Sequence, residues 1–178
     1  MRDKVKYQAV FWATAAAGLL LDLVSKHLVF AWMGHPARAL PVIGRLLMVR
    51  TAKNTGTFFG IGSGGSGGNT ALIVFTVLMT ALVLYMFLVP PKETEGKRTL
   101  YSLALGLVFS GGLGNLYDRV VCGFVRDFVD IGIPGGKRWP TFNLADAWLV
   151  MGIIAYLVVL LGARRKPAPE PGEEGATP

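Results

Sequence analysis

The stretch "TALIVFTVLMTALVLYMFLV", Thr70 to Val89, runs for 20 residues without an Asp, Glu, Lys or Arg. A segment of this length and character covers the hydrocarbon core of a bilayer as one helix. Three other apolar stretches share the chain with it. Gln8 to Trp32 is broken by Asp22, Lys26 and His27, and Leu144 to Leu161 is broken only by Asp146. Leu100 to Leu116 reaches spanning length by including Thr99 and Tyr117. Of 178 residues 52% are hydrophobic and 16% charged, and the apolar ones fall in blocks, not in the short periodic stripes of a soluble domain. The predicted fold class is a membrane all-α protein with four transmembrane helices.

Arg2, Lys4 and Lys6 before an apolar run, followed by "ARA" at Ala37 to Ala39, have the outline of a cleaved signal peptide. A signal core does not carry an Asp and a Lys four residues apart, and apolar character continues past them through "LVFAW", so this stretch is counted as a span. The net charge of +7 is spread over both ends and every loop, which argues against a nucleic-acid partner. Residues 1–7, 90–98 and 163–178 hold nine of the 18 Lys and Arg in 32 residues, whereas 33–69 and 118–143 hold eight in 63. The denser set is expected on the cytoplasmic side, with both termini inside. Cys122 is the only cysteine, which excludes an internal disulfide, and it reads as an ordinary loop thiol.

Between the first two spans "ALPVIGRLLMVRTAKNTGTFFGI" mixes β-branched and aromatic residues with single polar ones, a pattern that predicts short strands in a small sheet at the outer membrane surface. "GSGGSGGN", Gly62 to Asn69, has linker composition and is expected to be a flexible connection. The short "PPKETEGKR" makes spans two and three antiparallel neighbours. A single integral-membrane domain is expected over 1–162, with a disordered cytoplasmic tail over 163–178 whose Pro, Gly and Glu have nothing to bury. There is no internal repeat to support an inverted-repeat transporter.

Ionisable groups within a bilayer cost on the order of 3 kcal/mol each, so each needs a partner or a purpose. Asp22 and Lys26, four apart, share a helical face and are expected to form a structural ion pair tying the first span to its neighbours. "SGGLGN" puts Gly111 and Asn115 on one face, continued by Arg119, which reads as close helix packing finished by a charged end. Asp127 lies among Phe124, Val125, Phe128 and Val129, where a carboxyl favours its neutral form. Asp130, just before "GIPGG", is expected to be a solvated turn residue.

The fourth span opens with Asn143 and, three residues on, Asp146, the pattern of a helix N-terminal capping box. The helix dipole there favours an ionised Asp146. Two carboxyls in unlike environments are the ingredients of an acid–base pair: one takes a proton from water while the other hydrogen-bonds a scissile carbonyl. Spacing alone does not bring residues 127 and 146 together, and proton relay or simple packing stand as alternatives.

Taken together, "DLVSK" (Asp22 to Lys26), "NTGTFFG" (Asn54 to Gly60), "GNLYDR" (Gly114 to Arg119), "FVRDF" (Phe124 to Phe128) and "FNLAD" (Phe142 to Asp146) resemble, in order, the motif series of the bacterial lipoprotein signal peptidases, or signal peptidase II. The resemblance covers about residues 8–162. It implies an intramembrane aspartic endopeptidase of the bacterial inner membrane. Such an enzyme removes the signal peptide from diacylglyceryl-modified prolipoproteins, cutting before the lipid-bearing cysteine, with its site facing the periplasm. It implies Asp127 and Asp146 as catalytic residues, and Asn54, Gly56, Asn115, Arg119 and Asn143 as groups that bind substrate or support the acids. It implies no metal or organic cofactor, prolipoprotein substrates and membrane lipids as partners, no nucleic acid, and a monomer. Thr57 and Phe58 depart from the small residues usual in the second motif, which bears on the shape of the substrate groove. The alternative is a non-enzymatic small polytopic membrane protein or transporter subunit using Asp22, Lys26 and Asp146 as an ion path.

Overall fold

The charge-free stretch at 70–89 lies almost wholly inside the second of four long helices. In the computed structural model, which describes residues 2–34, 39–56 and 66–163, these are α1 (Arg2–Met33), α2 (Ser66–Leu88), α3 (Arg98–Val121) and α4 (Leu144–Ala163). All four are long and apolar enough to cross a membrane. A three-stranded antiparallel sheet accompanies them, in the order β1 (Leu40–Ile43), β2 (Leu47–Asn54), β3 (Val125–Ile131). The expected helices and strands are therefore present. The expected linker is only partly so: Ser66 to Asn69 already form the first turn of α2, and Asn69 Nδ2 donates to the Arg119 carbonyl at 3.2 Å. That bond ties the start of α2 to the end of α3 and offsets the poor helix propensity of the glycines. Gly62 to Gly65, Thr57 and Phe58, and the tail from residue 164 lie outside the described residues.

Polarity is distributed inside out relative to a soluble protein. Phe75, Leu78 and Leu82 of α2 and Ile153, Ile154 and Leu157 of α4 are exposed, whereas Asp22, Lys26, Ser110 and Asp118 are buried. An apolar surface that extensive belongs against lipid. α3 is the central helix, with α1, α2 and α4 packed around it. Small residues allow this: a Cβ added at Gly111 would stand 2.5 Å from the Ala145 carbonyl oxygen, so the α3–α4 approach requires glycine there. At one end of the bundle the core is aromatic, with Phe11 and Phe87 stacked at 3.8 Å between ring centroids beside Tyr101 and Leu105.

The other end, where α1 and α3 finish and α4 begins, carries the sheet. Helix α3 stops at Cys122, whose N–H donates to the Asp118 carbonyl at 2.8 Å, and Gly123 at φ +78° turns the chain directly into β3. β3 pairs with β2, Asp127 opposite Ala52 and Val125 opposite Asn54. On its other edge the backbone of Phe142 bonds both ways with Val129, its N–H donating at 3.0 Å and its carbonyl accepting at 2.8 Å. This short pairing lays the segment before α4 alongside the strand that carries Asp127.

Asp130 is not the solvated turn residue its sequence context implies. It is buried in β3, where its carboxylate accepts from Arg138 Nε at 2.6 Å and lies 3.3 Å from Arg50 Nε. The strand continues one residue past it, and two arginines from neighbouring segments replace the water it gives up.

Candidate active site

Asn143 is the residue that joins the two aspartates. As N-cap of α4 its Oδ1 accepts from the Asp146 N–H at 3.0 Å, and its own N–H donates to Asp146 Oδ2 at 3.2 Å, a closed capping box. Its Nδ2 points the other way, donating to Asp127 Oδ1 at 2.7 Å and to Asn115 Oδ1 at 3.1 Å. A pattern legible as helix capping thus also brings both carboxyls to one residue, Asp127 to its side chain and Asp146 to its backbone N–H.

Each carboxyl has a second amide donor. Asn54, the last residue of β2, donates from Nδ2 to Asp127 Oδ2 at 3.0 Å, and Asn115 on α3 donates from Nδ2 to Asp146 Oδ1 at 2.8 Å. Neither amide is free to turn over. The Gly56 N–H donates to Asn54 Oδ1 at 2.9 Å, and Lys26 Nζ donates to Asn115 Oδ1 at 3.1 Å. Gly56 sits at φ +88°, and a Cβ on it would run into the Leu72 side chain, so the turn that aims Asn54 needs glycine.

The charges around this amide network cancel in a chain. Lys26 lies 2.7 Å from Asp22 and 3.4 Å from Asp118, all three with no side-chain exposure. Asp118 in turn holds Arg126, whose backbone N–H donates at 2.8 Å and whose Nε donates at 3.0 Å. The free oxygen of Asp22 accepts from the Ala145 N–H at 2.9 Å, at the start of α4. The expected pair is present, and it does tie the first span to its neighbours. It also reaches the acid network through Asn115, and Asp118 clamps Arg126, the residue before Asp127. No local period in the sequence signals an α3–β3 clamp of this kind.

What remains is Arg119, Asp127 and Asp146. Two acids beside one cation are balanced when one acid keeps its proton. Asp127 is the acid built to keep it: burial, then the charge of Asp146, push its carboxyl up to about 7 against the bonds from Asn54 and Asn143. Arg119 is near enough for both carboxylates to act on its charge, and its Nη1 is buried with no hydrogen-bond partner among the described residues. A cavity of about 340 Å³ opens beside these groups between α2, α3 and α4. Phe75, Met79, Val108 and Ile153 make its apolar walls, and Asn115 and Arg119 its polar head.

The structure therefore gathers Asn54, Gly56, Asn115, Arg119, Asp127, Asn143 and Asp146 at one place, with Asp22 and Lys26 immediately behind. His27, Cys122 and Asp130 have no bond into it. Among the described residues no three His, Cys, Asp or Glu side chains are grouped as a metal site.

Comparison with known proteins gives the same grouping a context. Residues 14–162 match the family model described as signal peptidase (SPase) II. Lipoprotein signal peptidases of Borrelia hermsii (34% identical, 83% of this chain and 87% of that protein) and Moorella thermoacetica (35%, 92% and 98%) are among its relatives. That of Dehalococcoides mccartyi is 37% identical over 85% of this chain and 88% of its own. Two solved structures described as bacterial membrane enzymes superpose with TM-scores of 0.75 and 0.73. They are 27% and 30% identical and cover 92% and 85% of this chain and 94% and 92% of their own. A match across nearly the whole four-helix unit, at these identities, shows that the chain belongs to the signal peptidase II family, the lipoprotein signal peptidases.

Proposed function

We propose that Asp127 and Asp146 are the catalytic pair of an aspartic endopeptidase. It removes the signal peptide from diacylglyceryl-modified prolipoproteins, cutting before the lipid-bearing cysteine. The observation that carries this reading is the attachment of both carboxyls to Asn143, where burial pushes the Asp127 carboxyl up.

Asp146, in the first turn of α4, takes a proton from a water. The hydroxide oxygen forms a bond to the scissile carbonyl carbon while Asp127 donates its proton to the carbonyl oxygen, giving a gem-diol. The C–N bond then breaks as the nitrogen takes the proton held by Asp146 and Asp127 recovers one from the diol. The products are the carboxylic acid of the signal peptide, which then ionises to solvent, and the free amine of the lipidated cysteine. Arg119 Nη1, a buried donor without a hydrogen-bond partner among the described residues, is positioned to bind a substrate backbone carbonyl. The apolar groove between α2, α3 and α4 suits the core of a signal peptide, and Asn54, Gly56, Asn115 and Asn143 hold the acids in register.

Both termini are assigned to the cytoplasm and the acids to the periplasmic face of the inner membrane. The Lys and Arg bias supports this, as does the position of sheet and acids at the end of the bundle away from the start of α1. A lipidated substrate is anchored at that face. All of these side chains come from one chain, which supports a monomer surrounded by lipid. The ion-path alternative is not favoured, because Asp22 and Lys26 are engaged with each other and with Ala145, Asn115 and Asp118.

The test is cleavage of a diacylglyceryl-modified precursor by the purified protein in micelles, read by mass spectrometry of the products. The expected product begins with the lipidated cysteine. Release of a different N-terminus, or no cleavage, would remove the assignment.

A further inference from the structure

A second cavity lies away from the acids. About 430 Å³ opens at the opposite end of the bundle, between the first turns of α1, the end of α2 and the start of α3. Lys4 is 18 residues from Asp22 along α1, which at the helical rise is about 27 Å, the thickness of a hydrocarbon core. This cavity therefore lies at the membrane surface away from the acids.

Hydrogen-bond donors line it. Lys4 and Arg98 supply two positive charges, and among the described residues neither has a carboxylate within ion-pair distance. Gln8 accepts from Trp12 Nε1 at 3.1 Å through its Oε1, which leaves its amide NH₂ as the unused half. Tyr101 donates its hydroxyl hydrogen to the Met86 carbonyl at 2.7 Å, fixing the wall, and Ser102 adds a hydroxyl. The floor is apolar, made by Phe87 and Leu88, with Phe87 stacked on Phe11 beneath. One acid, Glu95, stands exposed at the rim. Two cations and one carboxylate leave a net charge of +1, which one phosphodiester neutralises. A donor-lined cleft at a membrane surface, with the exposed Leu88 at its apolar edge, accommodates a headgroup phosphate whose glycerol and acyl chains run into the membrane.

We propose that this cavity is a binding site for the phosphodiester headgroup of an anionic phospholipid, held by Lys4 and Arg98. It is separate from the peptidase site and does not depend on the assignment of Asp127 and Asp146.

The full chain, reconstituted in phosphatidylcholine nanodiscs containing a minor fraction of phosphatidylglycerol, is analysed by native mass spectrometry for retained lipid. The expected result is one phosphatidylglycerol kept in preference to phosphatidylcholine. A Lys4→Gln/Arg98→Gln double variant should bind it about 30-fold more weakly, from two cations near a membrane surface. Glu95→Gln should keep it, which controls for disturbance of this end of the fold, and precursor cleavage by the double variant in phosphatidylcholine reports that it still folds. Equal retention of phosphatidylglycerol by the double variant, or no preference over phosphatidylcholine, would overturn the proposal. So would inorganic phosphate displacing the lipid and giving the same thermal stabilisation by itself, since the ligand would then be a soluble anion.

Discussion

Replacing Asp127 by Asn separates the acid's proton from its shape, and the structure gives the size of the effect. The Asp127 carboxyl is 1% exposed and is pushed up from 3.8 to about 7, first by burial and then by the charge of Asp146. The difference, 7 − 3.8, is about three pH units, or about 4 kcal/mol. A raised carboxyl binds its proton more tightly folded than unfolded. That stabilisation is complete below about pH 4 and is lost as pH rises through about 7. The variant has no such group, so it lacks this dependence. It carries a constant cost instead. Asp127 accepts from two amide donors, Asn54 and Asn143, and an Asn side chain offers a single oxygen. Turning either partner over would break the Gly56 or the Asp146 N–H bond, so two NH₂ groups face each other, at about 1–3 kcal/mol. The variant is therefore expected to be less stable than the native protein at about pH 3 and more stable at about pH 9, by roughly 1–3 kcal/mol each way. At roughly 2–4 °C per kcal/mol, tryptophan-fluorescence melting in detergent micelles resolves the crossing. A Tm difference that stays constant across this range would refute the argument that Asp127 is held protonated by burial.

Three further changes probe the supporting structure. Asn143→Ala removes the side-chain donor to Asp127 and the cap that accepts from the Asp146 N–H, so kcat for precursor cleavage should fall about 10²- to 10³-fold with KM little changed. Loss in KM alone would assign Asn143 to substrate binding instead. Gly112→Val enters the groove between α2 and α3, where even a Cβ would stand 2.6 Å from Thr80 Oγ1; KM should rise on the order of tenfold, more than kcat falls. Asp118→Asn leaves Lys26 and Arg126 short of their shared carboxylate and should cost about 3–5 kcal/mol, visible as a large drop in Tm without change in the cleavage position.

The features legible in the sequence are those set by local geometry. Four blocks of spanning length predict four helices, Asp22 and Lys26 meet because four residues make one helical turn, and Asn143 caps α4 three residues before Asp146. The motif series places the acids and their supporting residues, and the structure brings all of them together. Features depending on pairing across elements were not legible. Asp130 reads as a turn residue until Arg138 and Arg50 come against it from other segments. Asp118 and Arg126 are eight residues apart across a helix end, with nothing periodic to join them. Asp127 approaches Asp146 because Phe142 pairs with Val129 through backbone groups alone, which any side chain permits. Ser66 to Asn69 look like linker by composition, and form a helix because Asn69 finds the last carbonyls of α3.

The central claim, that Asp127 and Asp146 perform the hydrolysis together, is tested most directly by cleavage of a lipid-modified precursor in proteoliposomes by Asp127→Asn and Asp146→Asn variants whose folding is verified by melting. Both are expected to bind the precursor and to leave it uncut. Cleavage at the native rate by either variant would contradict the account.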